Sequence, residues 1–246
     1  MRRDRFQVAS PAIGTGDVLA YGHYGRPVLA FPSDGGRAGD FEDRGMVDAV
    51  ADLLDAGRVK LYCVDSYDLS SWRDERLSLE QRAHQHERYQ QWILDQVLPL
   101  LYDDCGGRQD VLATGCSFGA YHAANFALKR ADLFPVAISL SGIYDVAVVG
   151  GGWERGDAVY FNNPVDYVAN LGGDHLDWLR GRVVLVLVCG QGMWEDTTGA
   201  LESTRRFAGL LAAKQIPHEL DLWGHDVPHD WPSWRRQLAH HLPRFC

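Results

Sequence analysis

The stretch Gly115-Cys116-Ser117-Phe118-Gly119 constrains the fold more than any other, because it joins the apolar run Val111-Leu112-Ala113-Thr114 to a helix-like segment over 120–130. A serine between two glycines on a strand-to-helix turn is a nucleophile elbow. The turn strains the serine backbone, and a side chain at either glycine would collide with the neighbouring strand or helix. Such a turn lifts the serine hydroxyl clear of the sheet and aims the backbone N–H of Phe118 into the same space. A bare G-x-S-x-G also arises by chance, so its surroundings decide its meaning.

Those surroundings are a strand-and-crossover pattern. Short runs rich in β-branched or aromatic residues recur at 28–31, 59–64, 111–115, 136–140 and 183–189, and runs of this kind are buried on both faces of a parallel sheet. Helix-length segments separate them, at 41–56, 79–102, 118–130 and 199–214. In the second, Tyr89, Trp92, Ile93, Val97 and Leu100 recur at three- and four-residue steps and give one apolar stripe. Repetition of strand and crossover predicts an open, mostly parallel α/β sheet flanked by helices on both faces. Residues 5–10 and 18–21 are expected to add antiparallel edge strands. With 246 residues, 46% of them hydrophobic, and no repeat or Pro/Ser-rich linker, the chain is expected to form one α/β domain over 1–246.

A formal net charge of −9 argues against nucleic acid or an anionic membrane surface as the main partner. No apolar run reaches the roughly 18 residues that a membrane span needs, and the basic start, Arg2, Arg3 and Arg5, is not followed by the apolar segment of a secretory signal. The cysteines Cys63, Cys105, Cys116, Cys189 and Cys246 are odd in number and include no C-x-x-C pair. That usage points to a reduced, cytoplasmic setting. A homo-oligomer is compatible with the chain.

In open parallel sheets ligands bind beyond the carboxyl ends of the strands. The segments 32–39, 65–72, 141–145, 190–196 and 224–231 are therefore where chemistry belongs, together with Ser117. A serine hydroxyl near its free pKa is a poor nucleophile and needs a general base within hydrogen-bond reach, itself oriented by an acid. Two late histidines, His225 and His229, qualify as the base, and Glu195 and Asp196 offer adjacent carboxylates after the run 183–189. His84, His86, His122, His175, His218, His240 and His241 have no motif around them. His84 and His86, two apart on a helix, do not share a face, so no metal is expected.

His229-Asp230-Trp231-Pro232-Ser233-Trp234 resembles the H-x-W-x-x-W signature of the putative esterase family, which includes esterase D, ferulic-acid-type esterases and the mycobacterial mycolyltransferases. Ser33-Asp34-Gly35-Gly36-Arg37 is similar to that family's oxyanion loop, Ser66-Tyr67-Asp68-Leu69-Ser70-Ser71-Trp72 to its S-x-x-x-x-x-W segment, and Ser139-Leu140-Ser141-Gly142 to a typical turn. The resemblance implies an α/β-hydrolase fold and a serine carboxylesterase that acts on small esters without metal or cofactor.

By the same resemblance Ser117 is the nucleophile and His229 the base. Asp196 is the preferred orienting acid, with Glu195 and, from the mycolyltransferases, Glu202 left open. Phe118 and Gly36 supply the oxyanion donors, unless Asp34-Gly35-Gly36 is merely a tight turn. Trp72 and Trp153 are expected to line the substrate pocket. Trp194 is expected beside them, and Trp231 and Trp234 in the core. Trp153 lies in a stretch over 144–176 expected to be irregular and long enough for a lid, with Gly150-Gly151-Gly152 as its hinge. Acyl transfer through the same acyl-enzyme is the close alternative. A catalytically inactive binding or scaffold protein is the alternative from another class.

Overall fold

The computed structural model describes residues 1–150 and 156–246. Strands β1 (Arg3–Ser10), β2 (Gly14–Tyr21), β3 (Arg26–Phe31), β4 (Val59–Val64), β5 (Leu112–Cys116), β6 (Val136–Leu140), β7 (Val184–Cys189) and β8 (His218–Leu222) form one sheet in the order β1-β2-β4-β3-β5-β6-β7-β8. The pairs β1–β2 and β2–β4 are antiparallel and the others parallel. All five apolar runs became strands. Of the two expected edge strands only β1 is at an edge; β2 is enclosed between β1 and β4, which is why Val18, Ala20 and Tyr21 are fully buried. Strand β8 escaped the sequence reading because His218-Glu219-Leu220-Asp221-Leu222 has no apolar run, as suits an edge strand with no fully buried residue.

The crossovers place helices on both faces. Helices α1 (Asp40–Asp43) and α2 (Ala51–Asp55) follow β3. The single helix expected over 41–56 is interrupted at Gly45, whose φ of +73° breaks the helical path. Between β4 and β5 run α3 (Leu79–Trp92) and α4 (Leu98–Asp104), joined by a π-helical turn over Ile93–Val97. Ser78 opens α3 with a capping box: its Oγ accepts from Gln81 N–H while the Gln81 side chain accepts from Ser78 N–H. Helix α5 (Phe118–Lys129) follows the elbow.

The stretch expected to be irregular is largely helical, as α6 (Val146–Gly150), α7 (Asp157–Asn162), α8 (Pro164–Asn170) and α9 (Gly173–Arg180). Trp153, Gly151 and Gly152 lie outside the described residues. Helix α10 (Ala200–Ala213) links β7 to β8, and α11 (Trp231–His241) follows β8.

The period-two alternation of the strands divides the core. Leu29, Phe31, Tyr62, Val64 and Ala113 pack on one face with α3, α4, α5 and α8; Val28, Ala30, Leu61, Cys63 and Leu112 pack on the other with α1, α2 and α11. A third cluster, Trp72, Leu79, Ala83, Phe118, Tyr121, Val146, Ala147, Ala158 and Val159, sits above the start of α5.

The elbow has the geometry its glycines demand. Ser117 is at φ +55°, ψ −118°, in the left-handed half of backbone space that non-glycine residues avoid. A Cβ on Gly115 would strike the carbonyl of Gly119, and one on Gly119 would strike the carbonyls of Pro32 and Phe31. These neighbours are backbone atoms of α5 and of the end of β3, which cannot rotate aside as a flexible side chain can. Gly119→Ala is therefore expected to lower the unfolding free energy by at least the roughly 1–3 kcal/mol of an overpacked core, read as a lower urea midpoint; an unchanged midpoint in equilibrium unfolding would show that β3 can give way.

Candidate active site

Three side chains converge at the carboxyl end of the sheet from three separate loops. Ser117 ends the β5 turn, its N–H donating to the Leu140 carbonyl at 2.8 Å. Its Oγ lies 3.0 Å from His229 Nε2, and His229 Nδ1 lies 2.9 Å from Glu195 Oε2. An ionised carboxylate can only accept, so the imidazole proton sits on Nδ1 and Nε2 is left to accept from the serine hydroxyl. This is the tautomer that a general base needs.

His229 is fixed by the chain on either side of it. Its N–H donates to the Met193 carbonyl at 3.0 Å, tying it to the loop that carries Glu195. Asp230 then caps α11, its carboxylate accepting from Ser233 N–H at 2.9 Å, with Pro232 in the first turn where its missing N–H costs nothing. Trp234 packs edge-on against the His229 ring at a centroid distance of 5.0 Å. Its indole N–H donates to Ser141 Oγ, and Ser141 Oγ–H donates to Glu195 Oε1 at 2.6 Å. The second tryptophan of the H-x-W-x-x-W block thus supports the acid through a serine, and Trp231 packs between Phe41 and Trp234.

Glu195, not the expected Asp196, faces His229. The loop after β7 turns at Trp194, which adopts φ +72°, so that Glu195 points inward and Asp196 outward. Glu195 has 0% exposed surface, whereas Asp196 is exposed and its carboxylate accepts from the adjacent Thr197 N–H. Besides His229 and Ser141, Glu195 accepts from Gly190 N–H at 3.2 Å and from the Cys189 thiol at 3.4 Å. Burial, then the Glu195 charge, push the Cys189 thiol well above its usual range. Glu202, the other alternative, is an exposed residue of α10 beside a cavity of about 200 Å³ lined by Ile143, Val148, Val165 and Arg206. His225 is exposed at the rim, with Nδ1 3.2 Å from the Gln191 carbonyl.

Other expected residues fare differently. Phe118 opens α5, so its N–H has no carbonyl of the same helix to bond, and it lies at the positive end of the helix dipole. Gly36 N–H donates to the Ser33 carbonyl at 2.9 Å, closing the loop as a turn; it reaches an oxyanion only by giving up that bond. Trp72, expected in the substrate pocket, is 1% exposed and packs between His86 and Tyr121, so it is a core residue behind the site. Trp194 and Met193 are instead exposed on the loop before Glu195.

Asp221, His240 and His241 bring three ligand-type atoms within 4.8 Å of one another. Asp221 already accepts from Trp223 Nε1–H and lies 2.9 Å from His241 Nε2, while Arg244 donates to His241 Nδ1. A guanidinium in contact with the imidazole opposes a cation there.

A family model described as "Putative esterase" matches residues 36–245. The chain belongs to the putative esterase family. It is thus an enzyme that acts on ester bonds, with the α/β-hydrolase fold. Among solved structures, the chain is similar to a ferulic acid esterase at 16% identity and TM-score 0.77, over 99% of this chain and 97% of that one. It is also similar to the Mycobacterium tuberculosis protein MPT51, at 16% identity and TM-score 0.73 over 99% and 97%. An S-formylglutathione hydrolase from Agrobacterium tumefaciens matches at 15% identity and TM-score 0.71 over 98% and 93%. None of the curated protein sequences matches the chain significantly. No helix among the described residues is long and apolar enough to cross a membrane.

The burial of Glu195 and the exposure of Asp196 give opposite expectations for two neighbouring substitutions. Glu195→Gln should keep the shape of the site and lower kcat for ester hydrolysis by about 10⁴, the cost of an uncharged orienter in a comparable triad. Asp196→Asn should leave kcat within about twofold, as surface changes do. Steady-state kinetics of the two variants side by side check the assignment; the reverse pattern would return the role to Asp196.

Proposed function

We propose that this esterase is a serine carboxylesterase working through an acyl-enzyme on Ser117. The observation that carries the reading is the unbroken line from Glu195 through His229 to Ser117, with contacts of 2.9 and 3.0 Å. His229 takes the hydroxyl proton as Ser117 Oγ attacks the ester carbonyl carbon, and Glu195 stabilises the imidazolium that results. The tetrahedral oxyanion is met by Phe118 N–H, reinforced by the amino end of α5, and by a second donor from the loop over 33–38. His229 then gives its proton to the leaving alcohol, and water, activated by the same base, releases the acid and restores Ser117. Gly36 is the second donor in this reading, after trading its turn bond to Ser33.

The exposed apolar side chains of Leu69, Met193 and Trp194 stand on loops that follow β4 and β7, on either side of the β5 elbow. They favour esters with an apolar acyl or alcohol group over strongly charged ones.

Hydrolysis of p-nitrophenyl esters from acetate to octanoate, by wild type, Ser117→Ala and His229→Ala, tests the mechanism. Both variants should lose nearly all turnover while keeping their folded state, and a fluorophosphonate should label wild type but not Ser117→Ala. A folded Ser117→Ala protein with wild-type turnover would sink the proposal.

A further inference from the structure

A buried ion-pair geometry lies on the side of Ser117 opposite Glu195, and the triad does not use it. Asp68, in the turn after β4, and His122, on α5, are both fully buried, with Oδ1 2.9 Å from Nε2. Taking such a pair out of water is costly, and two apolar side chains of similar volume would usually serve stability as well or better. A pair retained in that setting calls for a purpose beyond filling space.

Its contacts supply one. Asp68 Oδ2 accepts from Gly35 N–H at 3.2 Å, so the carboxylate grips the loop over 33–38 with one oxygen and α5 with the other. The His122 ring, one turn into α5, lies edge-on beneath Phe118 at a centroid distance of 5.3 Å. Arg73, whose N–H donates to the Asp68 carbonyl, repeats the link: its guanidinium pairs with Asp34 and stands 5.8 Å from the centre of the Phe118 ring. The same loop is tied to the end of β4 by Ser66 N–H to the Gly36 carbonyl and by Ala38 N–H to Asp65.

We infer that Asp68 and His122 are positioning residues, a brace that fixes the loop over 33–38 against the start of α5 and so sets the spacing between the two oxyanion donors. The inference rests on the esterase reading above. Neither residue touches the reacting atoms; each acts through Gly35 or Phe118. A misplacement of about 1 Å among reacting groups costs on the order of 100-fold in rate, which gives the brace its leverage.

The test compares Asp68→Leu/His122→Phe with Asp68→Asn. Removing both partners together leaves no orphaned charge, so the double variant should fold. Its kcat for p-nitrophenyl acetate should fall about 100-fold with KM within about threefold, and the Gly35 amide should exchange faster with deuterium. Asp68→Asn should give a kcat between those of wild type and the double variant, because the amide oxygen still accepts from Gly35 while its NH₂ can donate to His122 Nε2 only with the imidazole proton on Nδ1, a buried atom with no hydrogen-bond partner. A folded double variant with wild-type kcat, or with an unchanged Gly35 exchange rate, overturns the brace. A wild-type protein without esterase activity overturns the esterase reading instead, and Gly35 exchange then decides the brace by itself.

Discussion

A single carboxylate without solvent contact organises one half of this molecule. Glu195 accepts from Ser141 at the end of β6, from Gly190 and Cys189 at the end of β7, and from His229 beyond β8. An isolated charge in that position would be prohibitively expensive; with four donors from three consecutive strand ends it becomes the point to which those ends are pinned. Ser141 can donate to it only from a left-handed backbone, φ +53°, and is held there by its own N–H bond to the Val188 carbonyl and by the Trp234 indole. The orientation of His229 is thus a consequence of how β6, β7 and α11 meet.

The elbow imposes a second constraint, of close backbone approach instead of charge. Gly115 and Gly119 let β3, β5 and the first turn of α5 come within a distance that no Cβ fits. That contact aims the amino end of α5 at the carboxyl edge of the sheet, so one tight crossing positions both the Ser117 hydroxyl and the Phe118 N–H. The strain at Ser117 is supported by the Leu140 carbonyl that receives its N–H.

The sequence carried the parts of this arrangement that depend on local chemistry. Apolar runs revealed the interior strands, because burial on both faces leaves no room for polar residues. The elbow and the H-x-W-x-x-W block single out Ser117 and His229, two side chains that the fold brings within 3.0 Å of each other, because each motif needs particular residues at fixed spacing. What stayed illegible depends on chain direction over longer range. Strand β8 is paired on one side only and carries an ordinary polar mixture. Whether Glu195 or Asp196 turns inward was decided by a left-handed Trp194, a residue type that gives no warning of such a turn. Trp72 was placed in the pocket by its position after β4, yet α3 and α5 close over it. The family resemblance points to Gly36 as an oxyanion donor but gives no sign that its N–H closes the turn it sits in by donating to the Ser33 carbonyl.

The strand order explains why a second buried carboxylate stands where it does. In the sequence β4-β3-β5-β6-β7, the turn after β4 and the loop after β7 are each two strands from the elbow, about 10 Å at ordinary strand spacing. A backbone hydrogen bond cannot span that gap, so each flank must reach Ser117 through side chains. On the β7 side Glu195 reaches it through His229; on the β4 side Asp68 reaches the start of α5 through His122 while holding the intervening β3 loop by Gly35. Both use a dry carboxylate because one acceptor with two oxygens can join two elements in a fixed direction, which apolar packing does not do. In the proposed mechanism the reaction separates charge in the same two directions, imidazolium toward β7 and oxyanion toward β3. A site that develops charge on both sides of one serine must be rigid on both sides, and on the β3 side the Asp68–His122 pair is the buried polar link that meets that need.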